Sequence, residues 1–82
     1  MAASREDVDR WIKTAIVGKC EFIISVCDTF EYDDYPVYCE DLDELVRRYP
    51  EFNGKNMQKV NEIIQIIDGK AIENLSINTI IK

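Results

Sequence analysis

The stretch from Cys20 to Cys27 constrains this chain more than any other. Most of its residues are β-branched or apolar. Alternation along an extended strand puts Phe22, Ile24 and Val26 on one face and Ile23, Ser25 and Cys27 on the other. Apolar side chains on both faces mark a strand in the interior of a sheet. The rest of the chain must therefore build a sheet around this segment, and its periodicities indicate how.

Upstream, Ser4 and Asp7 have the spacing of a capping box, and Val8, Trp11, Ile12, Ala15 and Ile16 follow at the i, i+3, i+4, i+7, i+8 spacing of one helical face. Gly18 stands where a helix stop is expected. A first helix from about Arg5 to Val17, with Trp11 turned inward, is the prediction. Downstream, Pro36 to Cys39 reads as a short returning strand, because proline can open a ladder but not sit inside one. The two strands make a hairpin with a long acidic tip over Asp28 to Tyr35. Asp41 and Glu44 repeat the capping pattern. Leu42, Leu45, Val46 and Tyr49 share a helical face, and Pro50 is expected to end this second helix.

Asn53-Gly54 marks a turn. The segment Met57 to Ile67 fits either period, and its concentration of Val and Ile favours a strand. Asp68-Gly69 is a further turn signal. Ala71 to Lys82 is open among a fourth strand, a dimer contact and a frayed tail. The fold class is α+β, in the order α-β-β-α-β. It is a three-stranded antiparallel sheet with both helices on one face, extended by a C-terminal strand if the tail pairs. With no repeat or linker, residues 1 to 82 are one small domain, whose size buries only about 60–65% of its unfolded surface. Modest stability follows, and a homodimer would remedy it.

Ten Lys and Arg stand against sixteen Asp and Glu, a net charge of -6. Phosphate backbones would be repelled over most of such a surface, which argues against direct nucleic-acid binding. No membrane-length apolar run or secretory leader pattern is present. Cys20, Cys27 and Cys39 cannot all pair within one chain, so they read as thiols in a reducing cytoplasm. The chain has no His, which removes every Ser-His and Cys-His arrangement and the commonest general base. The cysteines lack zinc-site spacing. No phosphate-binding or dinucleotide-binding glycine pattern appears. The expectation is a non-enzymatic protein with no cofactor and no metal.

The segment from Asp28 to Glu44 is the most unusual. It carries Asp28, Glu31, Asp33, Asp34, Glu40, Asp41, Asp43 and Glu44, and no Lys or Arg. Interleaved with Phe30, Tyr32, Tyr35 and Tyr38, these carboxylates suit docking on a basic partner surface. The candidate partner-binding set is Asp28, Glu31, Tyr32, Asp33, Asp34 and Tyr35. A solvated loop followed by ordinary helix-capping acids explains the same residues. A hard cation held by Asp28, Glu31, Asp33 and Asp34 is a further alternative, although the spacing is not that of an EF-hand loop.

The runs Ile24 to Phe30 (ISVCDTF), Asp34 to Tyr38 (DYPVY) and Gly54 to Val60 (GKNMQKV) resemble a group of small proteins encoded by bacteriophages and prophages. The resemblance covers about Asp7 to Ile66 and departs after Ile67, where this chain has an additional apolar tail. It implies a phage-encoded protein acting in the cytoplasm of a bacterial host. In that setting small acidic proteins serve as stoichiometric inhibitors of bacterial defence, the anti-CRISPR proteins among them. The partner implied is a defence protein such as a CRISPR effector nuclease.

Three other classes stay open. A small-molecule module that sequesters a nucleotide signal would use Arg47, Arg48, Lys55 and Lys59. A carboxylate-metal enzyme would use Asp28, Asp33 and Asp34. A regulatory homodimer would pair through a sheet edge or the tail after Ile72.

Overall fold

The computed structural model describes residues 4–54 and 57–80. Its elements run α1 (Arg5–Val17), β1 (Phe22–Asp28), β2 (Asp33–Cys39), α2 (Leu42–Phe52), β3 (Gln58–Ile67), β4 (Lys70–Leu75) and α3 (Ile77–Ile80). All strand pairings are antiparallel, in the order β2-β1-β3-β4. β1 is therefore interior, as its two apolar faces demand. The segment that fits both periods is the strand β3, and the tail supplies a true fourth strand. Lys55 and Asn56, with Ile81 and Lys82, lie outside the described residues, and with them one candidate cation and part of the GKNMQKV run.

The capping box of α1 is complete. Ser4 Oγ accepts from Asp7 N–H, and the Asp7 carboxylate accepts from Ser4 N–H. The bond from Ser4 N–H, with the Ser4 hydroxyl beside it, holds the Asp7 carboxyl below its ordinary pKa. α1 and α2 do not share a face of the sheet, which corrects the two-layer expectation. On one face Trp11 and Ala15 of α1 pack with Ile23 and Ile64. On the other, Leu45 of α2 packs with Phe22, Ile24, Val26, Val37, Cys39 and Ile63, and Ile77 and Ile80 of α3 join the edge of that cluster. The alternating residues of β1 thus serve two separate cores, and the molecule has three layers.

Three local expectations also change. The β1–β2 connection is a four-residue turn, Thr29 to Tyr32, and not a long tip, because pairing extends to Asp28 opposite Asp33. Pro36 lies inside β2, opposite Ser25, and is tolerated there because β2 is an edge strand whose even-numbered residues point their backbone groups outward. Pro50 lies inside α2, whose last turn continues to Phe52. A proline near a helix end forfeits few backbone bonds. Phe52 is retained by packing edge-on against Tyr35, with ring centroids 6.5 Å apart.

Candidate functional site

The structure divides the acidic segment in two, with the length of β2 between the parts. At one end, Asp41 caps α2 through a 2.9 Å bond from Glu44 N–H, and Glu44 accepts from Glu40 N–H at 2.6 Å. These carboxylates complement the N-terminal dipole of the helix, the ordinary role for acids at that position. The other end is the β1–β2 turn, roughly 20 Å away at the rise of a strand.

The turn is built by its own polar groups. Asp28 Oδ1 accepts from the N–H groups of Phe30 and Glu31 at 2.9 and 3.4 Å, and Tyr32 N–H donates to Asp28 O at 2.6 Å. Tyr32 takes a left-handed φ of 60° to close it. Thr29 ties the turn to the start of β3, its N–H and hydroxyl each donating to Met57 O at 2.7 Å. The fixed backbone leaves three large apolar side chains in solvent, Phe30 at 70%, Tyr32 at 68% and Met57 at 62% exposure. Glu31 and Asp33 are exposed beside them.

Of the six candidate residues, Asp28, Glu31, Tyr32 and Asp33 gather at this turn. Asp34 is half-buried on the α1 side of β2 and pairs in register with Cys27, whose thiol pKa is raised first by desolvation and then by a hydrogen bond with Asp34. Tyr35 turns toward α2. Its ring meets Phe52 and its hydroxyl accepts a hydrogen bond from Gln58, while burial pushes its pKa up. Its place beside Asp34 in the DYPVY run hides this, since neighbouring strand residues face opposite ways. Met57, absent from the sequence-based set, completes the apolar tip. It reaches the turn only through the pairing of β1 with β3.

Among the described residues the candidate cations do not converge. Arg48 lies 5.7 Å over the Phe52 ring, donates to Tyr38 O at 3.4 Å and stands 3.7 Å from Glu44. Arg47 borders an open recess walled by Glu40, Asp41, Asp43 and Glu44. Lys59 is on β3 opposite Cys27. Among the described residues no group of three or more ligating side chains is placed to hold a metal ion. A second open recess, about 440 Å³, lies between the end of α1 and the β3–β4 turn, lined by Ile16, Cys20, Glu21, Glu40, Ile66 and Asp68 among others. Volume for a small ligand is thus present, but it opens widely to solvent. No described helix is long and apolar enough to cross a membrane. Compared with protein-family models, curated proteins and solved structures, the chain finds no match.

Proposed function

We propose that this is a phage-encoded, non-enzymatic binding protein that inhibits a bacterial defence effector, of the anti-CRISPR kind, inside the host cell. Its β1–β2 turn docks on a basic surface of that effector. The observation that carries the reading is the pre-formed tip. Phe30, Tyr32 and Met57 are exposed on a backbone held by Asp28 and Thr29, with the carboxylates of Glu31 and Asp33 at the rim. A turn whose backbone is already fixed loses little backbone entropy on binding, and aromatic and Met side chains are enriched in the buried centres of interfaces. Carboxylates at the rim would steer the encounter with a cationic site, raising the association rate in a salt-dependent way. Relative to the sequence-based set, the proposed contact omits the half-buried Asp34 and Tyr35 and adds the exposed Phe30 and Met57.

The test uses purified RNA-guided nuclease effectors, each assayed for target cleavage with and without the protein. A susceptible effector should be inhibited by the native chain. The combined Phe30→Ala and Tyr32→Ala change should weaken binding by about 2 kcal/mol, roughly thirtyfold. Reversal of Glu31 and Asp33 to Lys should slow association and remove its salt dependence. Inhibition that persists unchanged in both variants would remove the turn as the contact, and the reading with it.

A further inference from the structure

We infer that the outer edge of β4 joins two copies of the chain into one continuous sheet, with Ile72 at the two-fold axis. The sheet has two edges, and they are treated differently. Ile66 N–H donates to Glu21 O and Thr29 N–H to Met57 O, both at 2.7 Å, so odd-numbered positions along β1 face β3 and even-numbered ones face β2; with Phe22 in register with Cys39, odd-numbered residues of β2 face β1 and even-numbered ones face outward. The outward positions are blunted. Pro36 has no N–H to give, and Tyr38 O already accepts from Arg48.

The β4 edge carries no such block. The two-residue turn Asp68-Gly69 makes Ile67 and Lys70 a hydrogen-bonded pair, so the next pair, Ile66 and Ala71, directs its backbone groups away from one another. Ile66 N–H accordingly donates to Glu21 O at 2.7 Å on the β1 side. Ala71 N–H and C=O therefore face outward, and alternation gives Glu73 the same direction. The open stretch ends at Asn74, where the register shifts, φ is 60° and the N–H goes to the Glu62 carboxylate at 2.7 Å.

A short open edge of this form fits a second copy. Antiparallel pairing centred on Ile72 sets Ala71 of each protomer opposite Glu73 of its partner, with each residue both donating and accepting. It keeps like faces of the two sheets together and brings the two Ile72 side chains, each 44% exposed, against one another. The charges permit it. The Glu73 carboxylate is held by Arg5 through bonds of 2.8 and 2.9 Å, and Lys70 adds a positive charge to the strand. The acids of the β1–β2 turn belong to the other edge of the sheet, two to three strand spacings or roughly 10–14 Å from β4. The acids of that turn therefore do not face the seam, where Arg5 and Lys70 stand with Glu73 and Glu62.

Sedimentation equilibrium or light scattering on the full chain over a range of concentrations tests this. The native protein should approach twice the monomer mass. Ala71→Pro, which removes one outward N–H as Pro36 does on β2, and Ile72→Lys, which sets like charges face to face, should each weaken the dimer by roughly tenfold or more. Ile72→Lys leaves the backbone ladder of the protomer intact, so it carries the test if Ala71→Pro does not fold. Val46→Lys, at an exposed apolar position on α2, and the Glu31 and Asp33 reversal should leave the mass unchanged. A native chain that stays monomeric at every concentration, or a dimer that Val46→Lys dissociates and Ile72→Lys does not, would overturn the inference.

Discussion

At the end of α1 the left-handed residue is Lys19, with φ 58°, while Gly18 has φ −82° and an N–H that still bonds back into the helix. Glycine at position 18 reads as a stop in the sequence, yet the reversal falls one residue later, where Cys20 N–H must reach Ala15 O at 2.8 Å. The thiols show how burial acts on single groups. Cys39 is buried, and desolvation first, then the nearby Glu44 charge, push its pKa from 9.0 up to about 11. A pKa raised on folding contributes stability that is complete below the unfolded value and is lost as pH rises through the folded one. The thiol of Cys39 should therefore favour the folded state up to about pH 9 and cease to do so between 9 and 11. Urea midpoints measured across that window should fall more steeply for the native chain than for Cys39→Val. At neutral pH a thiol reagent should leave Cys39 unmodified until the protein is denatured.

The elements form largely where local patterns place them, and their ends depart from the patterns. The β3–β4 turn is the firmest case, since Asp68 at φ 51° and Gly69 at φ 76° adopt the left-handed pair that a two-residue hairpin turn requires. A Cβ at Gly69 would meet no atom within 4 Å, so Gly69→Ala tests backbone conformation alone. It should lower stability by about 1 kcal/mol in urea denaturation, against no change for a surface substitution such as Lys70→Arg. Pro36 and Pro50 mislead for a common reason. Proline forbids one backbone N–H, and whether that N–H is needed depends on whether the strand is at an edge or the helix near its end. Neither is a local property. The register shifts beside Asn61 and Asn74 have the same origin, since they accommodate neighbouring strands.

On the scale of the whole molecule, Ile23 and Ile24 are adjacent in β1 and belong to different cores, so neither face can unfold without disturbing the other. Leu45 is fully buried on the α2 face, and Leu45→Ala should cost about 2–5 kcal/mol, a large part of the roughly 4–12 kcal/mol expected of a chain this size. Trp11, on the opposite face, supplies an independent probe. Its fluorescence and the far-ultraviolet circular dichroism should report one coincident transition in the native chain, shifted equally for both probes in Leu45→Ala. Transitions that separate would show two independently stable layers.

The sequence by itself determined the kind, order and approximate extent of the elements. Helical spacing, capping residues and turn residues act within a few positions of one another and are written contiguously in the chain. Only the tertiary structure decided which face each helix covers, that β3 pairs with β1 while β2 closes the opposite edge, and that Tyr35 points into the core while Met57 joins Phe30 and Tyr32 at the surface. β1 is apolar on both faces, so its pattern offers α1 and α2 equal burial on either side. The choice between them is made by contacts between residues far apart in the chain, and periodicity carries no record of those.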